Sequence, residues 1–367
     1  MNTKNGTILL AAGGTGGHIY PAHALRKVLK SRGWNVIFIT DQRGLNFRIS
    51  DENIEIYRIN SASLSGSLSD KLIGIFKLIF GLVQSFTLIK RFKPAAVVGF
   101  GGYPSVPTMV AATLIGCPTM IHEQNAVLGR ANRLVARRVN RIATAFSAVS
   151  GIKQKYKSKV TLTGNPSRPD LVNSRQHELK KPFTILVIGG SQGASILSKI
   201  VPGAVCALPP DLRKNLIINQ QCRPEDLQRV QNAYNANGIT STLSTFFQDI
   251  PKLMSEANLV ISRAGASTIA ELTIVGRASI LIPYASAMDD HQTANAKNIA
   301  DNGGAWMIPQ AELTVDVLCE RLISCLTSPS LLSDVGNKAS KCGSPDAAIK
   351  LAESVEEIAA ISRERIG

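Results

Sequence analysis

The stretch AAGGTGGHIYPA, residues 11–22, sets four glycines around Thr15 and follows them with His18 and Pro21. Glycine turns let backbone N–H groups approach an anion closely. A helix N-terminus beyond such a turn adds about half a positive charge. The spacing excludes a dinucleotide fingerprint: counting from Gly14, the sixth position is Ile19, where a glycine is required. No GxxxxGK[ST] run is present either, which excludes a P-loop NTPase. Two further glycine turns follow apolar runs, at Gly99–Gly102 and Gly189–Gly193. Three such turns point to a diphosphate as the ligand.

His18 falls at the first turn of the helix that this loop should open. An imidazole there suits a general base, because its unperturbed pKa lies near neutrality and a helix N-terminus disfavours the protonated ring. The same residue could instead serve only to satisfy the backbone of its loop. His122, in IHEQNA at the end of another apolar run, is a rival, with Glu123, Gln124 and Asn125 expected in the same crevice. In SRAGASTIAEL (262–272), Arg263 could meet a diphosphate and Glu271 a ribose diol. Thr268-x-x-Glu271 also reads as a capping box, which would tie that carboxylate to its own helix. PYASAMDDHQTANA (283–296) gathers Asp289, Asp290, His291 and Gln292, but no Asp-x-Asp occurs in the chain. No essential metal and no cofactor are expected.

The elements that must hold these groups alternate. Strands are expected at 7–12, 35–40, 95–100, 119–122, 141–146 and 159–164, with helices at 21–31, 70–91 and 126–138. TILVIGGSQG (184–193) then repeats the logic of ILLAAGGTGG about 176 residues earlier, with later strands at 215–219, 258–262, 278–283 and 305–308. This rhythm is βαβ, in an α/β chain of two Rossmann-like parallel-sheet halves. GNPSRPD (164–170) marks the break. Three regions result: 1–164, 165–344, and a helical tail at 345–367 packing back on the first domain.

Of the 367 residues, 41 are Lys or Arg and 26 Asp or Glu, a net charge of +15. All of the excess lies in residues 1–163, where 22 basic residues face 6 acidic ones. Only 5% of residues are aromatic and no basic–aromatic stripe appears, so nucleic acid is not the expected partner. Six cysteines without a CxxC, and a start too short in apolar residues for a secretory signal, place the chain in the cytoplasm. DKLIGIFKLIFGLVQSFTLIKRFK (70–93) carries a stripe of Gly74, Lys77, Gly81 and Gln84 beside a wide apolar face, closed by Lys90, Arg91 and Lys93. Packed on the sheet, it is a core helix; with part of that face left over, it would dip into an anionic membrane.

GGTGGHIYPA, GFGGY, IHEQNAVLGRANRL, GNPSR, GGSQGA, SRAGASTIAEL and DDHQTANA together, running from residue 13 to 296, resemble the MurG family of bacterial UDP-N-acetylglucosamine:N-acetylmuramyl-(pentapeptide) pyrophosphoryl-undecaprenol N-acetylglucosaminyltransferases. The resemblance implies a GT-B fold, two Rossmann-like domains with a cleft between them. It implies inverting transfer of N-acetylglucosamine from UDP-GlcNAc to lipid I, the undecaprenyl-diphosphate-linked muramyl pentapeptide, at the cytoplasmic face of the inner membrane. By motif, Thr15, Gly16, Gly17, Asn125, Arg168, Ser191 and Gln292 would contact the donor, Arg263 and Glu271 its diphosphate and ribose, and Phe247 would present backbone to the uracil. His18 would be the base, with Gly101, Gly102 and Tyr103 on the acceptor side. NQQCRPED (219–226) departs from the family's His-Gln-Thr/Cys-Gly run, and Pro104 and Pro107 replace smaller residues in the acceptor loop. A UDP-GlcNAc 2-epimerase, another glycolipid glycosyltransferase and a silent nucleotide-sugar-binding membrane protein are the competing readings.

Overall fold

The computed structural model describes residues 5–13, 15–42, 54–62, 67–168, 171, 181–190, 193–284 and 288–364. The chain forms two units. One runs through Ser167 and takes back the segment from Pro345; the other is Arg168–Ser344.

In the first unit, β1 (Thr7–Ala11), β2 (Asn35–Thr40), β3 (Glu55–Arg58), β4 (Ala96–Gly99), β5 (Thr119–Glu123), β6 (Arg141–Thr144) and β7 (Val160–Leu162) form one parallel sheet in the order β3-β2-β1-β4-β5-β6-β7. Leu10 of β1 pairs with Phe38 of β2 and Val98 of β4. Helices cover both faces, so the central strands are apolar throughout rather than alternating. The main helices are α1 (Gly16–Ser31), α2 (Leu68–Phe92), α3 (Ser105–Ile115) and α4 (Arg130–Val135). On one face, Ile19, Leu25 and Leu29 of α1 share a core with Leu351, Val355 and Ile358 of the C-terminal helix Ala347–Glu364. That helix is pinned by Glu356, which accepts from Trp34 Nε1 at 2.9 Å and Arg32 Nη1 at 2.6 Å.

Two helix boundaries and one helix face differ from the sequence expectation. Helix α1 begins at Gly16, not Pro21; the glycine turn itself opens it, and Pro21 sits inside with one backbone donor fewer. Residues 126–129 are not helical, because Glu123 holds that loop: its carboxylate accepts from Asn125 N, Gly129 N and Asn132 Nδ2. Gly74 and Gly81 of α2 are buried, but their companions are Ser85 and Ile89, while Lys77 is exposed. A Cβ at Gly81 would lie 1.9 Å from the Asn60 carbonyl oxygen, so the missing side chain sets how closely α2 seats. Gln84 secures the same contact by accepting from Asn60 N at 2.8 Å. The opposite face leaves Leu72, Ile73, Ile75, Phe76, Ile79, Phe80 and Val83 exposed, Phe76 by 71%.

In the second unit, β8 (Phe183–Ile188), β9 (Leu216–Gln221), β10 (Thr240–Ser244), β11 (Leu259–Ser262), β12 (Ser279–Leu281) and β13 (Trp306–Met307) form a parallel sheet ordered β10-β9-β8-β11-β12-β13. Helices α5 (Ser195–Cys206), α6 (Ala266–Val275) and α7 (His291–Ala300) follow β8, β11 and β12. Val201 and Val205 of α5 pack with Ile185, Val187, Ile218 and Ile261 of the strands and with Leu318 and Leu322 of the helix Val315–Thr327.

Candidate functional site

Each sheet reverses its strand order once, between β1 and β4 in the first unit and between β8 and β11 in the second. Ligands of open α/β sheets bind at such points, beyond the strands' C-terminal ends. All three glycine turns lie there.

In the first unit, Thr15 is the extended N-cap of α1, and its carbonyl accepts from His18 N at 3.1 Å. Gly16 and Gly17 are the first helical residues, so their N–H groups have no intrahelical partner. The turn after β4 closes on this one. Gly101 and Gly102 have φ of +85° and +74°, and a Cβ on either would come within 3.3 Å of the His18 ring. Two successive glycines in left-handed conformation therefore form a flat backbone wall for the imidazole. Tyr103 follows them, half-buried, and Pro104 is buried.

His18 Nδ1 lies 3.2 Å from Gln124 Oε1. Gln124 Nε2 in turn contacts Phe100 O at 3.0 Å and His122 Nδ1 at 3.1 Å. His122 is fully buried, and burial pushes its pKa down to about 4, aided by the neighbouring His18. Being enclosed, it does not meet a substrate, which removes it as the rival base. Asn125 donates through Nδ2 to Glu123 Oε1 at 3.2 Å and stays half-exposed at the sheet's end.

In the second unit a cavity of about 530 Å³ opens beside β8 and β11. The N-termini of α5 and α6 both face it, through Gly193–Ile196 and Gly265–Thr268. Gly190 and Gly193 hold φ of +81° and +68°, and a Cβ at Gly189 would lie 2.3 Å from Ala194 N. The turn thus needs its glycines for shape, and Gln221 clamps it by accepting from Gly189 N and donating to Gly190 O, both at 3.0 Å. Ser191 lies outside the described residues.

Arg263 and Gln292 line this cavity. Arg263 is held by Ile282 O at 3.1 Å and Gln310 Oε1 at 2.7 Å, and stacks 5.2 Å from the Tyr284 ring. Gln292 Oε1 accepts from Tyr284 N at 2.9 Å, after a turn in which Asp289 and Asp290 both take positive φ. Glu271 lies one helical turn beyond Thr268 on α6, outside the cavity lining, where Arg168 Nε stands 3.7 Å from its carboxylate. Only 12% of the Glu271 side chain is exposed, and burial raises its pKa to about 7 against the pull of Arg168. The capping box does not form: the N-cap is Gly265, and Thr268 is already within the helix. Phe247, half-buried after β10, does not line the cavity.

Lys199, Arg223, Tyr284 and Gln310 also line the cavity; Arg223 and Tyr284 sit inside NQQCRPED and PYASAMDDHQTANA without being singled out there, and Lys199 and Gln310 lie in no motif. Arg223 follows the C-terminal end of β9, and that position alone could have singled it out. Three cations and two helix N-termini around one cavity make an anion site of high local potential.

Residues 8–144 match the glycosyltransferase family 28 N-terminal domain, and residues 184–351 match the glycosyltransferase family 28 C-terminal domain. Among curated relatives, the UDP-N-acetylglucosamine--N-acetylmuramyl-(pentapeptide) pyrophosphoryl-undecaprenol N-acetylglucosamine transferase of Paramagnetospirillum magneticum is 49% identical, covering 97% of each chain. The enzyme of that name from Rhodospirillum centenum is 48% identical over 95% of this chain and 93% of its own. The crystal structure of Acinetobacter baumannii MurG matches with a TM-score of 0.79 and 32% identity, over 96% of this chain and 99% of that one. The UDP-GlcNAc 2-epimerase of Neisseria meningitidis shares the fold, with a TM-score of 0.65 at 14% identity over 96% of this chain and 100% of its own.

Proposed function

The chain belongs to the MurG family within glycosyltransferase family 28, and from that premise we propose that it moves N-acetylglucosamine from UDP-GlcNAc to the C4 hydroxyl of the muramyl sugar of lipid I, giving lipid II. The observation that carries the donor half of this reading is the cation-lined cavity at the switch point of the second sheet. Its size and charge suit a nucleoside diphosphate sugar.

The reaction is a displacement at the anomeric carbon. The acceptor oxygen attacks C1, the bond from C1 to the diphosphate breaks, and the configuration inverts from α to β. His18 takes the hydroxyl proton as the new bond forms. Charge builds on the departing UDP, where the N–H groups of α5 and α6 and the Arg263 guanidinium offset it, with Ser191 and Gln292 beside them. Glu271, braced by Arg168, and Phe247 lie outside the cavity lining, and their place in the family motifs assigns Glu271 to the ribose hydroxyls and the Phe247 backbone to the uracil. In the first unit Thr15, Gly16, Gly17 and Asn125 contact the donor, while Gly101, Gly102 and Tyr103 receive the acceptor.

The acceptor's lipid tail accounts for the exposed apolar face of α2. Burying a large apolar side chain is worth about 1.5–3 kcal/mol, against about 1 kcal/mol per basic residue near an anionic surface. Seven exposed apolar residues therefore supply the main anchorage, and Lys90, Arg91 and Lys93 the preference for anionic lipid. The enzyme in this reading is peripheral, docked on the cytoplasmic face of the inner membrane. Incubation with labelled UDP-GlcNAc and a lipid I analogue tests the activity: label should pass to the lipid. Failure to transfer by protein that still binds UDP would refute the reading.

A further inference from the structure

A base must present a lone pair to the proton it takes, and imidazole has two nitrogens that exchange that role. The hydrogen bonds behind His18 fix which one carries the proton. They start at Gly164, whose carbonyl oxygen lies 2.9 Å from His122 Nε2. A carbonyl can only accept, so His122 donates there and, being neutral, carries its lone pair on Nδ1. Gln124 comes next. One atom of its amide lies 3.0 Å from Phe100 O, 3.1 Å from His122 Nδ1 and 3.2 Å from His122 O. Three acceptors surround that atom, so it is the NH2 group, and the other atom of the amide is the oxygen. That oxygen stands 3.2 Å from His18 Nδ1. An amide oxygen cannot donate, so His18 Nδ1 carries the proton.

We propose that Gln124 and His122 are positioning residues which lock His18 in the Nδ1–H tautomer and leave Nε2 as the base nitrogen. All of the intermediate groups are buried, with Gln124 2% and His122 0% exposed, so water does not compete for the chain of bonds. The wall of Gly101 and Gly102 holds the ring in the plane that this requires. Reversing the chain would turn the Gln124 oxygen onto two carbonyl oxygens, an arrangement that burial makes costly. The order of bonds is Gly164 carbonyl, His122, Gln124, His18, and every donor direction in it follows from the first carbonyl and that of Phe100.

The proposal rests on His18 as the base, but the tautomer is measurable without turnover. Nitrogen-15 NMR of histidine-labelled full-length protein should show His18 with Nδ1 protonated and Nε2 bare at neutral pH. In Gln124→Met both tautomers should appear. Its kcat should fall about 10- to 100-fold, with the KM for UDP-GlcNAc within about twofold. A wild-type ring protonated on Nε2, or unchanged tautomer and kcat in Gln124→Met, would overturn the proposal. If the tautomer is as stated but His18→Ala transfers normally, the base assignment fails and not the relay's geometry.

Discussion

Pro104 occupies the space in which a side chain on Gly13 would stand: a Cβ there would lie 2.1 Å from Pro104 Cγ. The turn after β1 and the turn after β4 are thereby interlocked beside His18. Gly13→Ala should cost about 1–3 kcal/mol by overpacking. Adding Pro104→Gly should recover part of that loss, because Cβ, Cγ and Cδ of Pro104 all lie within 2.5 Å of the same point and glycine removes all three. Denaturant midpoints of the four proteins in this cycle measure it. Simple additivity would mean that the loops do not bear on one another.

Glu271→Gln should raise the KM for UDP-GlcNAc by about 10- to 100-fold, the loss of a hydrogen bond to a charged acceptor. Stability should respond in the other direction. Its folded pKa, about 7, lies above the ordinary carboxylate value of 4.5, so the native state holds the proton more tightly than the unfolded chain. That contribution is complete below about pH 4.5 and is lost as pH rises through 7, at most about 3 kcal/mol. Glu271→Gln should accordingly gain stability over the parent between pH 5 and 8. Melting curves without ligand at both values decide this, and a difference that does not change with pH contradicts it.

His122 has the opposite sign. Its pKa falls from 6.5 to about 4 on burial, so the unfolded chain binds the proton more readily. The stability it contributes is complete above about pH 6.5 and is lost as pH falls toward 4, about 2 kcal/mol of it by pH 5. His122→Gln should flatten this acid slope. Because Glu271 gains stability over the same interval, the comparison of each variant with the parent is informative, and the parent's own curve is not.

Phe76→Ser with Ile79→Ser on the exposed face of α2 should weaken binding to vesicles of mixed anionic lipid at least 100-fold, about 3 kcal/mol or more, while leaving the melting temperature nearly unchanged. Charge reversal at Lys90, Arg91 and Lys93 should weaken binding and remove its salt dependence. Flotation of vesicles with either variant measures the effect. Binding that ignores both sets of changes would place the membrane contact elsewhere.

The α/β class and the glycine turns were legible because central parallel strands and phosphate-binding turns impose composition directly. The edge strands β3 and β10, EIYR and TSTLS, escaped because an edge needs no continuous apolar run. The apolar run 21–31 begins five residues inside helix α1, whose true start at Gly16 shows only in the glycine turn that puts His18 in its first turn. At the site, Arg263, Gln292 and His18 stood out through their motifs. Arg223 and Lys199 did not, since only the sheet's topology brings the ends of β9 and α5 to one cavity. Of the two readings of Glu271, the capping box fails, because it depends on where the helix starts and the glycine turn starts it at Ala266.

The most direct measurement of the central claim is the product formed from UDP-GlcNAc and a lipid I analogue, identified by mass and by anomeric configuration. The parent enzyme should give a β-linked N-acetylglucosaminyl lipid and free UDP, and His18→Ala should lower kcat by about 100-fold or more while still binding UDP. An α-linked product, conversion of UDP-GlcNAc to an epimer without transfer, or no product from protein that binds UDP would contradict it.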